Sequence, residues 1–450
     1  TLFKVGDEVY GDISNYGFGS FAEYICINEK AVMLKPADMS FTDAASIPHA
    51  SMLAYQAIVE KGNIKDGQTV LINGAGGGVG NFGLQIAKQF DVTVMGVDAG
   101  DKFAMMKTTG FDECIDYTKE DCIKFHEAVK QHVLPLVNII YQKKKEKLGL
   151  DSLRPWDIEA EPSGVKPLIP FKTSEELIEK SIACFSKLRP FFGECLKKMQ
   201  ELKHLDLESR KGKAPGGYNC PLAESGAPFI FMNAAGQMHD VTTMLHEGGH
   251  AVHSFLAHPL ELNGFKEYPM EIAEVASMAM ELMSMDEWET FFTDATDLQR
   301  AKEHQLERVI TIFPWIAIID KFQHWIYEHP VHTHEERTAT WNEILKEFQD
   351  NVIDYSGLET YRSNNWQRQL HLFEVPFYYI EYGIAQLGAI GMWMQYKENK
   401  EQAMDNYCKA LALGGTRTLP QLFETAGLKF DFSPDKIKVL MEFVKEEMER

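Results

Sequence analysis

The chain has 450 residues, 45% of them hydrophobic and 25% charged, with a formal net charge of −21 at pH 7. A chain of this length has room for about two to four domains and a sizeable core, while the acidic balance argues against nucleic acid and membranes as partners. The seven cysteines are scattered, odd in number and form no C-x-x-C pair, so reduced thiols are expected, not a disulfide framework or a thiolate zinc site. Thr1 opens the chain without a methionine, and no basic-then-apolar leader follows; the expectation is a fragment without a signal peptide, located in the cytoplasm.

From Thr1 to about Asp121 the chain is rich in glycine, with Gly17, Gly19, Gly62, Gly67 and Gly74 as punctuation. Thr69-Val70-Leu71-Ile72 and Val92-Thr93-Val94-Met95 read as buried strands, and Val79–Phe90 between them as a helix. That is a βαβ unit, hence part of a parallel sheet. The turn from Asn73 to Gly80 follows a strand and opens a helix, the context of a dinucleotide fingerprint. Ala75, Gly77 and Gly80 fit an A-x-G-x-x-G pattern that lets a pyrophosphate approach the helix N-terminus. Asp98 closes the second strand, where an acid would bind a ribose hydroxyl, and Lys102 is placed for a 2′-phosphate instead.

These features, with Phe3–Tyr10, Gly19–Tyr24, Gln85–Lys88 and Cys114–Tyr117, resemble the zinc-independent branch of the medium-chain dehydrogenase/reductases, quinone reductases among them. The resemblance implies a fragment of a GroES-like domain over 1–64 and a partial Rossmann nucleotide-binding fragment over 65–121. The half of that fold which holds the nicotinamide has no counterpart after Tyr117, so no stable binding of NAD(P) is expected.

Beyond Cys122 the pattern turns helical, with 3.6-residue periodicity over Cys122–Leu148, Ser174–Leu205, Met270–Phe292, Leu298–His329, His334–Val352 and Asp435–Arg450. Pro155, Pro162, Pro167 and Pro170 mark a loop, and Pro228–Met232 reads as a strand. The apolar stretch Tyr378–Tyr396 contains Glu381, Gln386 and Gln395 and reads as a buried core helix, not a membrane span.

His246-Glu247-Gly248-Gly249-His250 places two imidazoles at i and i+4 on one helix face, where both can reach one metal ion. Glu247 falls outside the ligand pair and is available to act on a water. Two glycines inside a helix cost about 1 kcal/mol each against alanine, which predicts close approach of something to that face. A hydrolytic zinc needs a third protein ligand, and spacing leaves Glu271, Glu274, Glu281 and His253 open.

From about Tyr117 to Arg450 the chain is similar to the catalytic half of the thimet oligopeptidase and oligoendopeptidase F family. The likeness rests on Leu153–Asp157, Gly212–Tyr218, Pro228–Asn233, His246–His250, Pro269–Ser277 and Leu411–Gly415. It implies Glu274 as the third zinc ligand, Glu247 as general base and His253 either supporting the ligands from behind or packing. It further implies Phe229–Met232 as an edge strand that pairs with extended substrate. His371, Tyr378, Tyr379 and Tyr382 occupy the segment that in this family stabilises the oxyanion, though their spacing departs from the thimet-type pattern.

The expected fold class is therefore mixed: a truncated α/β portion, GroES-like remnant plus half a Rossmann unit, followed by a mostly α-helical zincin-type domain over 122–450. That domain lacks its family's N-terminal portion, and the junction at Tyr117–Asp121 reads as the seam of a chimera. The expected activity is zinc-dependent endopeptidase hydrolysis of short peptides, through zinc-activated water with Glu247 as base. Two other readings compete, an NAD(P)-dependent quinone reductase-like oxidoreductase and a composite chain without function.

Overall fold

Two compact units make up the chain, Thr1–Ile123 and Lys124–Arg450. The computed structural model describes residues 2–16, 22–98, 102–116, 121–214, 216–222, 224–349, 351–375 and 377–450. Gly17, Gly19 and the rest of the Gly19–Phe21 run, residues 117–120 of the expected Tyr117–Asp121 seam, and the side chain of Cys122 lie outside the described residues.

In the first unit β1 (Val9–Tyr10) pairs antiparallel with β2 (Met33–Leu34). The βαβ pattern follows as β3 (Thr69–Asn73), α1 (Gly78–Ala87) and β4 (Thr93–Asp98), then α2 (Phe103–Thr109) and β5 (Glu113–Asp116). The three strands form a parallel sheet in the order β3-β4-β5. Its core is small, with Ile64, Leu84, Val94, Met106 and Phe111 at the centre. Gly80 lets α1 cross close to the loop, since a Cβ there would lie 2.6 Å from the Cα of Ala75. One expectation needs correction: β3 is not a buried strand. Among the described residues it pairs only with β4, and Leu71 is 60% exposed. A β-branched run reports strand propensity, but burial depends on what covers the second face.

The second unit is mainly helical. Its sequence to the site runs α3 (Ser174–Leu188), α4 (Pro190–Glu201), β6 (Leu205–Glu208), β7 (Tyr218–Cys220), β8 (Phe229–Ala234), α5 (Met238–Ala257) and α6 (Met270–Met283). Then come α7 (Ala295–Glu328) and α8 (Tyr379–Glu398). The single helix expected over Ser174–Leu205 breaks at Arg189, which is extended (φ −159°, ψ 131°) ahead of Pro190. Proline clashes with a helical residue before it and suits the first turn of the next helix. The helix expected over Met270–Phe292 likewise stops at Met283 and continues as a 3₁₀ segment, Ser284–Thr290.

Strand order in the small sheet is β6-β8-β7, with β8 parallel to β6 and antiparallel to β7. Phe229–Met232 is therefore the middle of the sheet and not the expected edge. The two edges are β6 and β7, strands of four and three residues, too short for alternation to be read. α8 is the expected core helix, burying Leu387, Ile390 and Trp393. A Cβ on its Gly388 would meet Val275 of α6 at 2.7 Å, so the two helices are in close contact there. No helix among the described residues is long and apolar enough to cross a membrane. The cysteines whose side chains are described are all free.

Candidate metal centre

The carboxylate of Asp240 accepts hydrogen bonds from the Ala235 and Gln237 amides, both at 2.8 Å, and caps the start of α5. Two turns later the helix presents His246 and His250, with ring centroids 4.9 Å apart. The intervening glycines decide what reaches them. A Cβ at Gly249 would sit 2.6 Å from Ser277 Cα and 2.8 Å from the Ala276 carbonyl oxygen, both on α6. At Gly248 a Cβ would strike the Phe185 ring at 2.6 Å. The expected close approach is thus to α6 on one side and α3 on the other.

That contact brings Glu274 of α6 over the histidines. Its Oε2 lies 3.3 Å from His246 Nε2 and 3.8 Å from His250 Nε2. One donor atom from each of the three residues falls within 4.8 Å of the others. Glu281, two turns along α6, lies 2.7 Å from the other nitrogen, His246 Nδ1. Its second oxygen accepts from Gln305 Nε2 at 2.8 Å, and Ser277 Oγ donates to Glu274 Oε2 at 3.2 Å. Glu271 stands in the first turn of α6, outside the three-residue group. His253 is 1% exposed and stacks on Tyr268 with ring centroids 3.5 Å apart, a packing position.

Burial alone would push the His246 imidazole down, but hydrogen bonds to Glu274 and Glu281 outweigh it and lift it to about 10. Burial pushes both carboxyls up and is likewise outweighed by His246, leaving them below the usual range. His250, by contrast, is lowered to about 4 by burial and by the neighbouring His246 charge. Two carboxylates that hold a proton on His246 favour positive charge at this point, and a metal ion can replace that proton. Two imidazole nitrogens and one carboxylate oxygen suit a transition metal better than calcium or magnesium. Glu247 is buried, and that burial raises its carboxyl to about 7. Its backbone carbonyl accepts from Asn219 Nδ2 of β7 at 3.2 Å, which ties the sheet edge to the motif helix.

The residues His371, Tyr378, Tyr379 and Tyr382 cluster, with the His371 ring 5.7, 5.1 and 5.7 Å from the three phenol rings in turn. A cavity of about 320 Å³ is lined by His371, Tyr379 and Tyr382 together with His246 and Glu281; Tyr378 is outside that lining. Tyr382 Oη lies 3.4 Å from His371 Nε2. The tautomer of His371 follows from its other neighbours. Trp315 Nε1 donates to Gln369 Oε1 at 2.9 Å, so the Gln369 amide presents Nε2 to His371 Nδ1 at 2.7 Å. Nδ1 then accepts, and in the neutral ring Nε2 carries the proton toward the cavity. Phe377, just before Tyr378, has φ 60°, and its amide donates to Gln323 Oε1 at 3.0 Å. A bulky residue in the left-handed region is strained by about 1–2 kcal/mol, so this turn is held by its surroundings. Sequence reasoning missed Gln305, Gln369 and Trp315, none of which carries a local signal.

In the first unit Ala75 is buried and Gly77 caps α1. Asp98 is 3% exposed; its Oδ2 accepts from the Gly76 amide at 2.7 Å, and its Oδ1 pairs with Lys102 Nζ at 2.8 Å. The two side chains assigned to nucleotide recognition therefore bind each other and the turn. Calorimetric titration with NADPH and NADH is expected to show no binding at micromolar concentrations, and a micromolar dissociation constant would contradict this.

A helical unit in which a His-Glu-x-x-His helix is crossed by a glutamate-bearing helix defines a metallopeptidase. The sequence profile of peptidase family M3 matches residues 103–441, and the chain belongs to that family. An oligoendopeptidase F homolog of Borreliella burgdorferi is 26% identical over 304 residues, covering 65% of this chain and 49% of the relative. The solved structure of PZ peptidase A with an inhibitor is 26% identical, with a TM-score of 0.69 over 88% of this chain and 66% of that one. A 2-methylene-furan-3-one reductase of Solanum lycopersicum is 42% identical over 126 residues, covering 26% of this chain and 32% of the relative. The chain spans about half the length of the peptidase relative and about a third of the reductase. It thus joins a reductase-like segment to an M3 metallopeptidase segment.

Proposed function

We propose that the chain is a zinc-dependent endopeptidase of short peptides, with His246, His250 and Glu274 holding one zinc ion. The observation that carries this reading is the convergence of those three donors within 4.8 Å beside the buried Glu247 carboxyl. Two neutral imidazoles and a carboxylate are the donor set of a hydrolytic zinc, which when bound supplies Lewis acidity to the scissile carbonyl. Glu247 takes the proton of the attacking water and returns it to the leaving amine, a role suited to a carboxyl near 7. His371, through its Nε2–H, and Tyr382 donate to the developing oxyanion, with Tyr378 and Tyr379 packing and orienting the pair. Residues 122–450 form the catalytic domain; 1–64 and 65–121 are remnants of a GroES-like and a nucleotide-binding domain. The oligoendopeptidase F relative supports oligopeptides as substrates.

Metal analysis of purified protein should give close to one zinc per chain, with chelation stopping turnover of a quenched fluorescent peptide and zinc restoring it. Turnover that survives chelation would reject the reading. Glu281, bound to the far nitrogen of His246, orients that ring. Such partners are typically worth about 10–100-fold in metal affinity. Glu281→Gln should weaken zinc binding by about that factor in a chelator competition, and unchanged affinity would remove Glu281 from this role.

A further inference from the structure

Beside the metal centre lies a second cavity, of about 400 Å³, whose wall includes Arg308, Arg362, Arg368, Trp315, Ile312 and Glu159. Arg308 and Ile312 also line the cavity that holds His246, His371 and Tyr382, so the two spaces share a wall. Three arginines and one acidic residue line it, in a chain whose net charge is −21. Each arginine is held by a neutral group. Arg362 lies over the Tyr355 ring at 4.4 Å and Arg368 over the Trp315 ring at 4.7 Å. Arg308 Nη1 is 3.2 Å from both His239 Nδ1 and Thr242 Oγ1 on α5. Among the described residues none of the three makes an ion pair with an acidic side chain. A guanidinium stacked on an aromatic face keeps its in-plane N–H fork turned outward, the geometry that takes a carboxylate in bidentate fashion.

We propose that this cavity is a substrate subsite that binds a peptide carboxylate. The proposal rests on the peptidase reading and specifies which peptides the site selects. Such a carboxylate comes either from the C-terminus of a short peptide or from an Asp or Glu side chain. A C-terminal source would explain selection of short peptides, because a chain end must then lie a fixed distance from the scissile bond. The segment between the arginines and the metal centre supports the coupling. Arg368 is followed by Gln369, which orients His371, and Trp315 carries both the Arg368 stack and the Gln369 hydrogen bond.

The test measures binding apart from catalysis, by fluorescence anisotropy of labelled peptides on the full chain with a chelator present to prevent cleavage. Four probes share one neutral sequence: a C-terminal acid, the C-terminal amide, and the amide with a single Glu or a single Gln. The acid, or the Glu amide, should bind about tenfold more tightly than its neutral counterpart, as expected for a charge-assisted bidentate contact. The preference should shrink as salt is raised. Which of the two probes gains identifies the source. Arg362→Gln with Arg368→Gln should erase the preference, and Arg368→Gln alone, at an exposed position, should reduce it with the thermal midpoint preserved. Equal affinity for all four probes, or a preference that survives the double variant, overturns the proposal. Failure of the zinc-loaded chain to cleave any probe would instead reject the peptidase reading, and the binding result would stand separately.

Discussion

Glu247→Gln is expected to retain one zinc ion per chain and to lose about 10²–10⁴-fold in turnover, the usual worth of a positioned general base. Glutamine keeps the volume and one oxygen but cannot take a proton, and Glu247 lies outside the three-donor group. Glu274→Ala should do the reverse. It removes the only anionic donor of that group, leaves His246 and His250 facing a gap, and should lose the metal together with activity. Plasma emission analysis and peptide turnover on the same preparations separate the two roles. Full zinc occupancy in Glu274→Ala would mean that another acid, Glu281 being nearest in the network, supplies the third ligand. Substantial turnover in Glu247→Gln would move the base elsewhere.

How much of this site could be read from the chain depends on how far each signal reaches along it. The i, i+4 histidine pair is legible because both residues lie on one face of one helix, and the glycines between them announce a close neighbour. The choice among acids is not legible. Glu274 and Glu281 share a face of α6, and only the angle at which that helix crosses α5 decides which meets Nε2 and which meets Nδ1. Orientation of His371 by Gln369 depends on Trp315, 54 residues earlier in the chain, and no local pattern predicts such a partner. β6 and β7 are four and three residues long, less than the alternation a strand needs to stand out. With both flanking strands hidden from such a reading, the one legible strand, β8, looks like an edge, although it is the middle of the sheet. Asp98 is ambiguous for a different reason: an acid at the end of a strand fits a ribose acceptor and a cap for the glycine turn equally well, and its Oδ2 accepts from the Gly76 amide of that turn.

Gly249→Ala should cost both stability and activity, although alanine is the better helix former. Propensity alone would favour the change by about 1 kcal/mol. Against that, the new methyl would lie 2.6 Å from Ser277 Cα and 2.8 Å from the Ala276 carbonyl oxygen. Those are backbone atoms of α6, so no side chain can rotate away, and the two helices must separate by roughly 1 Å to reach ordinary contact distance. Overpacking of this kind costs about 1–3 kcal/mol. The larger consequence is positional. Glu274 is carried on α6 and the histidines on α5, so the same separation pulls the carboxylate away from the imidazoles, and a displacement of about 1 Å costs on the order of a hundredfold in turnover. Gly248→Ala provides the graded comparison, since its methyl meets the ring of Phe185, a side chain; it should perturb packing while leaving the spacing of α5 and α6 less affected. Gly264→Ala, where a Cβ meets nothing within 4 Å, should be neutral. Thermal midpoints, zinc affinities and turnover measured across the three variants should therefore fall in the order Gly264→Ala, Gly248→Ala, Gly249→Ala. A Gly249→Ala protein that matches the unaltered chain in zinc affinity and turnover would show that the closeness of these two helices is not what sets the metal centre.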